Sequence, residues 1–158
     1  MPKNKMSRKL AAFTLLEVTV VVAVVFAVSI IALPVAINQI QTTRAVSAMK
    51  DVRSAMFLVA QNAYTQKDDT SFGIAFFENS YVVYKGNSLA TATEQDTFNF
   101  TSDIEIEAID FNGSSELNFA QGSFKPINSG SLNVRNGLEA YTINISSEGL
   151  ITSEKYVE

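Results

Sequence analysis

The 158-residue sequence contains no cysteine and no histidine. Without thiols, no disulfide closes a loop and no oxidation state regulates the chain. Without imidazole, the commonest general base at neutral pH is missing, and with it the commonest metal ligands. No G-x-S-x-G, P-loop or G-x-G-x-x-G spacing occurs. Positive charge is also sparse. Lys3, Lys5, Arg8 and Lys9 are four of the twelve basic residues; from residue 13 onward eight basic side chains face sixteen acidic ones, a net charge of −8. Phosphate binding needs clustered Lys and Arg, so no nucleic-acid partner is expected. No catalytic, cofactor-binding or metal-ligating residue is assigned, and the chain is read as a non-enzyme.

What the sequence does have is one long apolar run. Val18–Ile37 is nearly all apolar, and no residue from Val18 to Thr43 carries a charge. Twenty helical residues cover about 30 Å, the thickness of a bilayer core. Basic residues precede the run, and the first on its far side is Arg44. The positive-inside rule therefore places the N-terminus in the cytoplasm and the remainder outside. A secretory signal has a shorter apolar stretch followed by an A-x-A-like site, and no such triplet occurs in or just after this run. A plain signal anchor stays open as an alternative.

Glu17 sits just inside the apolar segment. An acid at the centre of a membrane helix costs about 2.5–3.5 kcal/mol on insertion scales, and less near an end. Such a residue usually has a partner. A cut between Ala12 and Phe13 would create an α-amino group four residues before Glu17, one helical turn away on the same face.

The stretch Ala12-Phe13-Thr14-Leu15-Leu16-Glu17, followed by an uninterrupted apolar helix, resembles the class III prepilin signal of type IV pilins and of the type II secretion pseudopilins. The resemblance implies cleavage by a prepilin peptidase between Ala12 and Phe13, N-methylation of Phe13, and charge pairing between Glu17 and the methylated amine of an adjacent subunit. The residue before the cut is usually Gly in that family. Ala12 keeps a small side chain there. Pro34 removes one helical hydrogen bond and clashes with the carbonyl near Ile30. It is read as a tolerated transmembrane kink or, by resemblance, as a point where the helix loosens on assembly.

Past the membrane the pattern becomes amphipathic. Ala45, Met49, Val52, Met56, Val59 and Ala63 recur at spacings of three and four, with Arg44, Lys50, Asp51, Arg53, Gln61 and Asn62 between them. One continuous helix is expected from about Phe13 to about Gln66, with the methionines filling a core. Lys67-Asp68-Asp69-Thr70-Ser71 reads as the loop that ends it. A solvated loop is favoured there over a calcium site.

After Thr70 the period changes to two. Strands are expected at Ile74–Phe77, Tyr81–Lys85, Thr97–Thr101, Asp103–Ile109, Leu117–Phe119, Ser131–Arg135, Leu138–Ile145 and Leu150–Tyr156, separated by turn residues such as Asn112-Gly113 and Asn136-Gly137. Pairing outward from Asn136-Gly137 sets Leu132 opposite Tyr141 and Val134 opposite Glu139. Ile104 and Ile106 point one way, while Asp103, Glu105 and Glu107 form a solvated acidic ridge, with docking of a basic neighbour as the alternative. The fold class is α+β: a long helix covered over its outer half by a small, mostly antiparallel sheet or sandwich. The divisions are 1–12 leader, 13–37 transmembrane helix, 38–66 amphipathic half of the same helix, and 67–158 extracytoplasmic β domain.

The runs Leu117–Gly122 and Tyr141–Ile151 are similar to the C-terminal domain of the H-type minor pseudopilins, the group of general secretion pathway protein H. The resemblance implies a filament subunit in the bacterial inner membrane. Its partners would be other pilins or pseudopilins, the prepilin peptidase, the inner-membrane assembly platform and membrane lipid. Two alternatives stay open: a signal-anchored extracytoplasmic binding or adhesion protein, and a DNA-uptake (competence) minor pilin. The acidic chain offers the second no basic stripe.

Overall fold

The computed structural model describes residues 14–65, 69–137 and 139–156. It has the α+β architecture expected. One helix, α1 (Leu15–Tyr64), is followed by β1 (Phe72–Phe77), β2 (Ser80–Lys85), β3 (Glu94–Asn99) and β4 (Glu105–Asp110). The chain continues through β5 (Glu116–Phe119), β6 (Gly130–Asn136), β7 (Glu139–Ile145) and β8 (Ile151–Tyr156). All pairings are antiparallel, in two four-stranded sheets ordered β3-β2-β1-β5 and β4-β6-β7-β8. The chain divides into two compact units, Met1–Asn38 and Gln39–Glu158.

In the first unit, α1 presents its large apolar side chains outward: Val20, Val24, Phe26, Ile30 and Leu33 are all more than half exposed. Val and Ile are mediocre helix formers in water. In an apolar solvent the ranking matters less, because only a helix satisfies every backbone group within one segment. The two hydroxyls in this stretch follow the same rule. Thr19 Oγ1 donates to the Leu16 carbonyl and Ser29 Oγ to the Val25 carbonyl, each at 2.8 Å. The helix runs on through Pro34.

In the second unit, the amphipathic stripe is the centre of one core. Ala48, Val52, Met56, Val59 and Ala63 are buried against Phe72, Ile74, Phe76, Leu117 and Phe119 of the first sheet. The same cluster takes in Ile106, Leu132, Val134, Ile143 and Ile145 of the second sheet. Met49 and Met56 are core residues, as the spacing predicts. Where α1 ends, the Gly122 N–H donates to the Ala63 carbonyl at 2.8 Å, and Tyr64 stacks on Phe124 at 4.2 Å between ring centres. A loop between strands thus supplies the cap that the last helical turn lacks.

One register differs from expectation. Leu132 pairs with Ile143, Val134 with Tyr141, and Asn136 with Glu139; Leu138, the expected start of the second strand, lies outside the described residues. The shift is two places, and the faces are preserved. The cause is Asn136. Its side chain is 2% exposed and donates from Nδ2 to the Gln41 carbonyl at 3.2 Å. A residue held this way belongs to the strand end, which displaces the turn by one position. A bulge between Glu107 and Asp110, with Ala108 at φ 47°, then bends β4.

The first sheet has a second buried layer on the face away from the helix. Gly73 in β1 pairs with Tyr84 of β2 and with Asn118 of β5. The Tyr84 ring lies across Gly73, and its hydroxyl meets Glu116 Oε2 at 2.7 Å and the Asn118 side-chain amide at 2.5 Å. Glu116 Oε2 also accepts the Leu89 N–H at 3.2 Å, bringing in a 3-10 turn at Leu89–Thr91. Burial, then the hydrogen bond to Glu116 and its charge, push the Tyr84 hydroxyl far above its usual range. A methyl group at Gly73 would collide with the Tyr84 ring and the Asn118 amide. Gly73→Ala is therefore expected to cost about 1–3 kcal/mol through overpacking. Urea unfolding of the full chain in detergent reads this as a lower midpoint; an unchanged midpoint would mean that Tyr84 does not lie across Gly73.

Candidate functional site

Glu17 occupies the third position of α1, and its backbone N–H donates to Thr14 Oγ1 at 3.2 Å. Thr14 is therefore the N-cap, and Thr14-x-x-Glu17 has the spacing of a capping box. Threonine three places before an acid was the available signal in the sequence, and it carries a second meaning for Glu17. A carboxylate in the first helical turn is stabilised by the positive end of the helix dipole. That local field lowers the cost of an acid at the edge of an apolar segment but supplies no counter-charge. Ala12 and Phe13, the expected cleavage and methylation positions, lie outside the described residues. Of the other two assigned positions, Glu17 is exposed and Pro34 is inside the helix.

From Leu15 to Thr43, Glu17 is the one charged residue of α1. The apolar side chains around it are exposed in the isolated chain: Leu15 is 83% and Leu16 74% accessible. Helix length and composition suffice to cross a membrane. Their exposed surface must be covered by lipid or by other protein, because water is its least favourable environment.

The acidic ridge has a different fate from the one its alternation predicts for a purely solvated face. Asp103 Oδ2 accepts from Arg44 Nη1 at 3.1 Å and lies 3.4 Å from Asn136 Nδ2. Arg135 stands 3.8 Å from Glu107. Two of the three carboxylates thus face cations of their own chain, which removes much of the attraction for a basic neighbour. Sequence spacing could not show this, since Arg44 and Asp103 are 59 residues apart. A hydrogen bond from Thr101, and then one from Arg44, hold the Asp103 carboxyl below its usual range. On the neighbouring hairpin, Lys155 and then Tyr141 do the same for Glu139.

Of the loop that ends the helix, residues 67 and 68 lie outside the described residues, and Asp69 Oδ1 accepts from Gln121 Nε2. No group of three or more acidic side chains able to hold a metal is formed among the described residues. No protein-family model, curated protein or solved structure matches this chain.

The direction of the two carboxyl shifts sets a pH dependence. Their folded values lie below the unfolded ones, so their contribution is complete above about pH 4–5 and is lost as pH falls through the folded values. Arg44→Ala should move the Asp103 titration back up toward that of an ordinary aspartate, read by NMR of the carboxyl carbon. It should also shrink the acid-side loss of stability. An Asp103 titration that does not move would rule out Arg44 as a partner.

Proposed function

We propose that this chain is a pilin-like structural subunit, held in a membrane by α1 until it is transferred into a filament. What supports this most is a single carboxylate at the start of an otherwise uncharged, fully exposed apolar helix that runs on into a folded α+β unit. In a filament such helices bundle, so packing replaces lipid contact. Glu17 is then buried in apolar surroundings and requires a cation, because an unpaired buried charge is strongly destabilising.

Removal of residues 1–12 supplies that cation as the α-amino group of Phe13, and methylation leaves it charged. Between chains, pairing of that amine with Glu17 fixes the axial register of neighbouring helices. The helix dipole assists, since the first turn tolerates the anion before assembly. Membership of a type II secretion, pilus or uptake machine is a finer assignment. The resemblance to the H-type minor pseudopilins favours secretion, and the excess of acid over base weighs against DNA uptake.

Two measurements test this reading. Intact mass of the protein purified from membranes should correspond to residues 13–158 plus one methyl group. A chain that begins at Met1 with an unmodified terminus would instead be a signal-anchored protein. Glu17→Leu should leave membrane insertion unchanged and reduce recovery of the chain in sheared filaments about tenfold or more, the equivalent of about 1.4 kcal/mol or greater. Normal recovery of the Leu variant would remove the pairing role.

A further inference from the structure

The outward face of α1 in the second unit has two grooves, one on each flank, with opposite charge. On one flank Lys50, Arg53 and Phe57 line a groove of about 570 Å³ with Leu150 as its far wall. On the other, Asp51 and Leu58 line a groove of about 460 Å³ whose far wall includes Phe98 of β3. Ser54 lies on the crest between them and borders both. The division follows from helical geometry, which separates Lys50 from Asp51 by roughly 100° around the axis. Asp96 stands two places before Phe98 on β3 and so shares its face, adding a second carboxylate to the acidic flank.

These charges are distinguished by what they lack. Arg44, Lys85, Lys125, Arg135 and Lys155 all stand in ion pairs with acidic side chains of the same chain. Among the described residues, Lys50 and Arg53 have no such partner, and neither Asp51 nor Asp96 has a cationic one. Each pair of free charges borders large apolar side chains left in the open. Phe57 is 58% and Leu150 66% exposed on the basic side, and Leu58 51% and Phe98 46% on the acidic side.

We infer that the basic groove of one copy receives the acidic flank of a second copy of this chain, Lys50 and Arg53 facing Asp51 and Asp96 while Phe57 and Leu150 cover Leu58 and Phe98. The two surfaces are complementary in charge and each offers two cations or two anions beside two apolar groups. Copies anchored by α1 in one membrane share a polarity. A two-fold axis along the membrane normal would set basic flank on basic flank or acid on acid, which like-charge repulsion opposes. A repeated rotation in one sense sets basic on acidic every time. Such a contact joins two different patches, so it either closes into a ring or continues as an open array. The inference deepens the subunit reading by naming a lateral contact, and it does not require processing at Phe13.

The absence of cysteine makes the test direct. Thr152→Cys lies beside the basic groove and Asn99→Cys beside the acidic one, both at exposed positions. Two differently tagged full-length copies, one with each substitution, are expressed together and treated in membranes with a short thiol cross-linker. The mixed pair should cross-link well above either like pair. Lys50→Glu with Arg53→Glu in the Thr152→Cys copy should lower the yield about tenfold. Asp51→Lys with Asp96→Lys in the other copy should restore it. Equal yields for mixed and like pairs, a yield indifferent to charge reversal, or failure of the compensating reversal would each overturn the contact. A processed chain with no mixed preference loses this contact alone. A chain retaining residues 1–12 that shows the preference keeps the contact and loses the processing reading.

Discussion

Burial of one helical stripe between two antiparallel sheets is the constraint on which the second unit depends. Val52, Met56 and Val59 are wholly inaccessible and share one core cluster with residues of both sheets. A four-stranded sheet with one bare apolar face is not stable in water alone. The stripe therefore sets which residues of the strands packed on it point inward, and β3, exposed at every position, takes its register from β2. The same helix must satisfy a different requirement at its other end, where the described large apolar side chains are exposed. One segment thus changes from uniform to periodic apolarity near Asn38, and its uniform part is long and apolar enough to cross a membrane.

Most of this organisation is legible in the sequence because it is periodic. The stripe from Ala45 to Ala63, the eight alternating runs and the turn residues between them specify the helix and all the strands to within a few residues at their ends. What stays hidden is set by contacts across long sequence separations. Asn136 reads as a turn former, and only its hydrogen bond to the Gln41 carbonyl, 95 positions away, shows it to be a strand residue. Gly73 stands just before the expected strand Ile74–Phe77; it belongs to that strand and is the space that the Tyr84 ring needs. Arg44 and Asp103 read as unrelated surface charges.

The candidate site divides along the same line. Glu17 is conspicuous because an acid in an apolar run contradicts its surroundings, and no tertiary information is needed to see it. Its cap by Thr14 is a three-residue pattern, equally local. By contrast, the unpaired state of Lys50, Arg53, Asp51 and Asp96 is a property of the folded unit, since among the described residues the other cations have each found an acid. Charge counting gives an excess of carboxylates but does not indicate which cations remain free.

The two ends of the amphipathic half of α1 are tied differently from its middle. Near its start the Gln41 carbonyl is held by Asn136, and at its end the Ala63 carbonyl is held by Gly122, while side-chain packing fills the span between. Tension drawn along the helix axis thus reaches the strands through both hydrogen bonds and the whole interlocked stripe at once. The span between the two tied carbonyls is about six helical turns. The amphipathic half of the helix is thereby fastened to the sheets at both of its ends as well as along its stripe.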